Sequence, residues 1–156
     1  MTGVFPQGQA NSRNSLLLVV GTVEADDRQT DGFVTRLPWH THYAHSISEA
    51  LPFVCQDLAR VVLCEHALPD GTWKDILHLV ASRNVPPPVI VTSLHANDYL
   101  WAEVLNLGGY DVLATRLERR EAVRSIGLAW DQRETHFECA KFLRAGALRN
   151  KVAYVQ

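Results

Sequence analysis

The sequence is short of the features that usually announce a function. Its three cysteines, Cys55, Cys64 and Cys139, are an odd number with no CxxC spacing, which argues against a disulfide framework. Two of them lie inside apolar segments, where a free thiol behaves as a small hydrophobe, so all three are expected to be reduced and the protein intracellular. Charge of one sign is also lacking: 15 Lys and Arg face 17 Asp and Glu, a formal net charge of -2. Nothing in that balance favours a polyanion, so neither nucleic acid nor a membrane is expected as a partner. The first residues, "MTGVFPQGQANSRNS", carry no basic stretch, and the nearest apolar run, "LLLVV", is too short for a signal sequence or a membrane span. A cytoplasmic location is the expectation.

What the chain does have is an ordinary globular composition, 47% hydrophobic and 21% charged over 156 residues, enough for one domain with one core. Residues 1–15, rich in Gly, Gln, Asn and Ser without periodicity, are expected to form a disordered leader. From Leu16 onward, "LLLVV" (16–20), "ARVVLC" (59–64), "PVIVTS" (88–93) and "YDVLA" (110–114) are short aliphatic runs that suit strands buried on both faces. "HTHYAHS" (40–46) lacks such a run and suits an edge strand. Between the strands lie apolar stripes at helical spacing: Ile47, Ala50, Leu51 and Val54; Trp73, Ile76, Leu77 and Val80; Leu100, Val104 and Leu107; Val123, Ile126 and Trp130. Segment 24–37 is a poorer helix, with Phe33, Val34 and Leu37 at its end. It is assigned helix mainly because a parallel crossover needs one.

Alternation of strand and helix predicts a doubly wound α/β sheet over 16–130, with 131–156 as a C-terminal extension. Function in such sheets gathers at the carboxyl ends of the strands. Gly21 and Thr22 stand after the first strand, Glu65 at the end of the third, Ser93 after the fourth and Thr115 after the fifth. The third is the most unusual of these ends: "VVLCEHALPDG" is an apolar strand that closes on a carboxylate and a tight turn.

Together with "LLLVV", "PPPVIVTS" and "LNLGGYDVLATRLERREAV", that stretch makes the chain from about Leu16 to Arg133 resemble the receiver domain of bacterial two-component response regulators. The resemblance implies a flavodoxin-like five-stranded parallel sheet of order 2-1-3-4-5 and a place in phosphorelay signal transduction. It also implies a chemistry. Receivers catalyse their own phosphorylation on an aspartate ending the third strand, hold Mg2+ with two acidic residues after the first, contact the phosphoryl group through Thr or Ser after the fourth, and pair it with Lys after the fifth. Carried over by position, the phosphoacceptor falls on Glu65, the acidic pair on Gly21 and Thr22, the hydroxyl on Ser93 and the lysine on Thr115. The aromatic switch of the fifth strand falls on Val112. Leu94 stands where a small residue usually follows the hydroxyl, and Arg116 where proline usually follows the lysine. Of these positions, Ser93 alone keeps the family's chemistry.

The substitutions have physical consequences. Mg2+ is normally held by one or two carboxylates with waters and phosphate, so with Gly21 and Thr22 in place of acids its binding is expected to be lost, and no cofactor is expected. Phosphoryl transfer rests on positioning and electrostatic stabilisation, which the missing metal and lysine would have supplied. Glutamate also displaces the acceptor by one methylene, and a misplacement of ~1 Å can cost ~100-fold. The expectation is a pseudo-receiver that is not an enzyme, works independently of phosphorylation and binds a protein: a histidine kinase, a downstream regulator or a second copy of itself. Glu65 as a standing phosphate mimic is a further reading, with a poor match of one negative charge against about -1.5 to -2 for a phosphate.

Two alternatives compete. In one, Glu24, Asp26 and Asp27 of "GTVEADD" reach back to hold the metal and the phosphorelay survives, although acids there also suit the first turn of a helix. In the other, the fold carries a flavin or a small enzyme, against which stands the lack of a phosphate loop or a nucleophile–base pair. His40 and His42 would share a strand face, with His45 on the other, but no Cys or carboxylate stands at ligand spacing and no metal site is expected. Trp101 and Trp130, on the fourth and fifth helices of a receiver, are candidate interface residues for a partner or a homodimer. The tail, with Phe137, Ala140, Leu143, Ala147 and Leu148, is expected to extend the last helix or add another, and to pack on the domain or on a second copy.

Overall fold

A computed structural model describes residues 16–21, 38–115 and 119–153. The expected leader, Thr22, the weak helix over 24–37 with its acidic residues, and Arg116 lie outside the described residues. In chain order the elements are β1 (Leu16–Val20), β2 (Thr41–Ala44), α1 (Ile47–Cys55), β3 (Ala59–Glu65), β4 (Ala67–Leu68), β5 (Gly71–Thr72), α2 (Trp73–Ala81), β6 (Val89–Ser93), α3 (Asp98–Asn106), β7 (Asp111–Ala114) and α4 (Arg119–Ala153). Five strands form one sheet in the order β2-β1-β3-β6-β7, every neighbouring pair parallel. Numbered among themselves these strands run 2-1-3-4-5, a doubly wound sheet with β2 at one edge. The two-residue strands β4 and β5 pair antiparallel as a small hairpin around Pro69 and Asp70.

The two core faces follow from strand alternation. Leu18, Val20, Val62, Cys64, Val89 and Val91 face one side and pack with Ala50, Val54, Trp73, Ile76, Val80, Leu100 and Val104 of α1, α2 and α3. Leu17, Val19, Val61, Leu63 and Ile90 face the other and pack with Ala122, Ile126 and Ala129 of α4. Local chemistry starts each of the shorter helices. Ser46 Oγ accepts from the Glu49 N–H at 3.2 Å, Asn97 Oδ1 from the Leu100 N–H at 2.8 Å, and Thr72 and Asp75 form a capping box for α2.

Some expected stripe residues lie elsewhere. Leu51 and Leu107 are exposed, because α1 turns only Ala50 and Val54 fully inward and α3 ends at Asn106, one residue before Leu107. On α4 the buried face is Ala122, Ser125, Ile126, Ala129 and Arg133, so Val123 and Trp130 flank the contact. Small residues let α4 approach the sheet, and a count of large apolar side chains misses them. Trp130 instead stacks on Trp39, ring centroids 5.9 Å apart, with the Arg60 guanidinium 5.5 Å from its ring. The tail extends the last helix: α4 runs unbroken for 35 residues through the expected boundary at 130/131. Phe142 and Leu143 on it are exposed, not packed on the domain. Among the described residues no helix is long and apolar enough to cross a membrane.

Cysteine environments give a direct check of the core. Cys64 is fully buried and its thiol is pushed up to about 12, first by burial and then by the neighbouring Glu65 charge. Cys55 and Cys139 are exposed; Cys55 lies on the outer face of α1 and not in the apolar setting its sequence neighbours imply. A thiol reagent at mild alkaline pH is expected to modify these two in the native protein and Cys64 only after unfolding. Modification of all three without unfolding would contradict the placement of β3.

Candidate functional site

The carboxyl ends of four strands lie side by side. Val20 is in register with Cys64, Glu65 with Thr92, and Ser93 with Ala114. The chain leaves each strand still bonded to its neighbour: the Gly21 N–H donates to Ala44 O at 2.9 Å, His66 N–H to Thr92 O at 2.9 Å, and Thr115 N–H to Ser93 O at 3.0 Å. Gly21, Glu65, Ser93 and Thr115, four of the positions singled out in the sequence, are thereby brought to one edge of the sheet. Val112 lies within β7, half-buried against the first core face, and offers no ring to move.

Glu65 ends the central strand, with β1 on one side and β6 on the other. Its side chain lies over Gly21. A Cβ placed on Gly21 would meet Glu65 Cδ at 2.5 Å, Cγ at 2.6 Å and Oε2 at 2.9 Å, closer than real side chains approach. Gly21 also has φ of +157°, a conformation L side chains rarely adopt. The two residues fit only as a pair: the longer acid occupies the space that a side chain after β1 would need.

The hydroxyl at this edge is engaged locally. Ser93 Oγ accepts from the His95 N–H at 3.2 Å, closing a short turn, and Leu94 beside it is 67% exposed. Thr115, which follows β7, carries no charge. Of the four positions at this edge only Glu65 carries a carboxylate, and among the described residues no group of three or more His, Cys, Asp or Glu side chains is placed to hold a metal ion. In "HTHYAHS", the His42 ring lies against Phe53 at 3.9 Å. Of the two candidate interface tryptophans, Trp101 is 49% exposed on α3, whereas Trp130 sits half-buried in its stack on Trp39.

The turn after Glu65 has a structural task that sequence reading did not assign. Asp70 accepts from the Ile47 N–H at 2.9 Å, the Ser48 N–H at 3.1 Å and Ser48 Oγ at 3.0 Å, so the "LPDG" hairpin caps the start of α1. These bonds, that from Ile47 foremost, hold its carboxyl below the usual carboxylate range. Gly71 beside it is closely packed, since a Cβ there would meet the ends of the Asp75 and Ile47 side chains.

The sequence matches no protein-family model and no curated relative. Solved structures do match. The signal receiver domain of an HD domain-containing protein from Pseudomonas fluorescens aligns with TM-score 0.68 at 19% identity, over 81% of this chain and 93% of that one. A CheY-like response regulator receiver domain protein from Methanospirillum hungatei gives 0.64 at 18%, over 78% and 98%. The chain has the receiver fold. The beryllofluoride-activated NtrC4 receiver domain dimer shares it too, with TM-score 0.65 at 18% identity, over 75% of this chain and 97% of that one. Within the receiver fold, Glu65 stands at the end of the third sheet strand, Ser93 ends the fourth, and Gly21 and Thr115 follow the first and fifth. Three further features had no sequence signal at short range: the Asp70 cap, the Trp39–Trp130 stack, and the arginines that gather at the opposite end of the sheet.

Proposed function

We propose that this chain is a receiver-type signal-transduction module that no longer takes up a phosphoryl group and acts by binding another protein. The observation that carries this reading is the Glu65 side chain lying in the space above Gly21. In a working receiver that space belongs to the acidic residues that hold Mg2+. Here Gly21, Glu65, Ser93 and Thr115 offer between them one carboxylate and two hydroxyls, a poor set for a cation that prefers octahedral oxygen ligation with more than one anionic ligand. Thr115 cannot neutralise a phosphoryl group, and Val112 cannot report one by moving a ring.

Partner binding is supported by the surface beside this edge. Leu94 in the loop after β6 and Tyr99 and Trp101 on α3 are 67%, 79% and 49% exposed, large apolar side chains of the kind that anchors interfaces. A histidine kinase, a downstream regulator or a second copy of the chain are the partner classes proposed. Thermal melting with Mg2+ and beryllofluoride tests the site, because a ligand that binds only the folded state raises Tm. No shift is expected. A saturable, Mg2+-dependent rise in Tm that disappears in Glu65→Gln would restore the phosphorelay reading.

A further inference from the structure

At the end of the sheet opposite Glu65, a cavity of about 460 Å3 opens between the start of β3, the loop before β6 and the projecting part of α4. Arg60, Arg133, Lys141 and Arg144 line it, and Asp57 is the one acidic residue on its wall. That acid is already engaged: Arg83 donates to both of its oxygens, at 3.0 and 2.8 Å. Glu134 pairs with Arg60, and Glu138 with Lys141 at 3.3 Å. Arg133 is the most deeply buried of the lining cations. It is 6% exposed, and its Nε is buried without a hydrogen-bond partner among the described residues. Its guanidinium lies 5.6 Å from the Phe137 ring centroid, a contact that satisfies no N–H.

A buried guanidinium is normally answered by a carboxylate or another anion. Around Arg133 the nearby cations outnumber the acids, although the chain as a whole has a formal net charge of -2. Burial lowers the pKa of Arg133 and the Arg60 charge lowers it further, outweighing the opposing pull of Asp57, the direction expected where positive charge is concentrated. We propose that this cavity binds a phosphate-bearing small molecule, with Arg133 as its buried anchor and Lys141 and Arg144 adding charge at the exposed rim. Planar guanidinium groups present parallel N–H donors that match phosphate oxygens. The volume exceeds what inorganic phosphate fills and falls in the range of sites for small organic ligands, which favours a phosphate ester such as a nucleotide. The cavity lies a strand length from Glu65, roughly 20 Å, so this site is independent of the receiver reading.

Calorimetric titration of the full chain at low ionic strength, with inorganic phosphate, pyrophosphate and metal-free ATP in separate arms, tests the proposal. Saturable binding is expected, tightest for ATP. Arg133→Met is expected to weaken binding at least about tenfold while leaving or raising the Tm of the ligand-free protein, since a buried unpaired charge is removed. A merely structural arginine would lower that Tm instead. Should Arg133→Met not fold, the Lys141→Ala/Arg144→Ala double variant, altered only at exposed positions, carries the test with a loss of about tenfold. No saturable binding in any arm up to about 10 mM, or equal binding by wild type and both variants, would overturn the site. Phosphate binding as tightly as ATP would overturn the organic ligand and leave an inorganic anion.

Discussion

Trp73→Ala is expected to lower the free energy of unfolding by about 3–5 kcal/mol, the range for removing a large aromatic from a packed core. Trp73 is 1% exposed and heads the fully buried side chains by volume. It is also the first residue of α2, directly after the hairpin that follows Glu65, and its backbone N–H donates to His66 O at 3.4 Å. The indole therefore anchors that turn to the core face formed by Val62, Cys64 and Val91. Domains of this size have total stabilities of about 5–15 kcal/mol, so the variant should lie close to its unfolding threshold. Urea denaturation followed by far-ultraviolet circular dichroism measures this. A midpoint within about 0.5 M of wild type, equivalent to roughly 1 kcal/mol or less, would contradict the position assigned to the ring.

Gly21→Ala is expected to destabilise the chain by about 2 kcal/mol, combining overpacking against Glu65 with an unfavourable backbone conformation. The informative result is the double variant. If the Glu65 side chain fills the space above Gly21, Glu65→Ala should make room for the new methyl and recover about 1 kcal/mol of that loss, leaving the backbone part in place. Losses that simply add would mean that Glu65 lies elsewhere. The same cycle bears on function, because it measures whether an acid at the third strand's end and a side chain after the first exclude each other here.

The elements of the fold were legible because their signals are local. Aliphatic runs such as "VVLC" are buried on both faces and stand out in any window, and strand ends mark themselves by a change of composition, which is why Gly21, Glu65, Ser93 and Thr115 could be placed at one edge. The sheet order followed from the resemblance to receivers and not from the runs themselves. The face of α4 was harder to read: its sheet contact uses Ala122, Ser125 and Ala129, whose small side chains permit close packing and carry little periodic signal.

The inner detail of the site was not legible. That Glu65 covers Gly21 depends on the register between β1 and β3, and residues 44 apart in sequence give no spacing rule for it. Asp70 reads as an ordinary turn residue until α1 is placed beside it, when it becomes that helix's cap. Arg60 interrupts an aliphatic strand and Arg133 lies in the last helix. Only the fold brings them to one cavity, and a polar residue within a buried stripe was the single hint available in advance.

Incubation of the purified chain with Mg2+ and acetyl phosphate, followed by intact mass measurement, tests the central claim most directly. The account predicts no added phosphoryl group, because the acceptor is a glutamate, Gly21 supplies no metal ligand, and Thr115 supplies no positive charge to the transferring group. A mass gain of one phosphoryl group that requires Mg2+ and is lost in Glu65→Gln would contradict it.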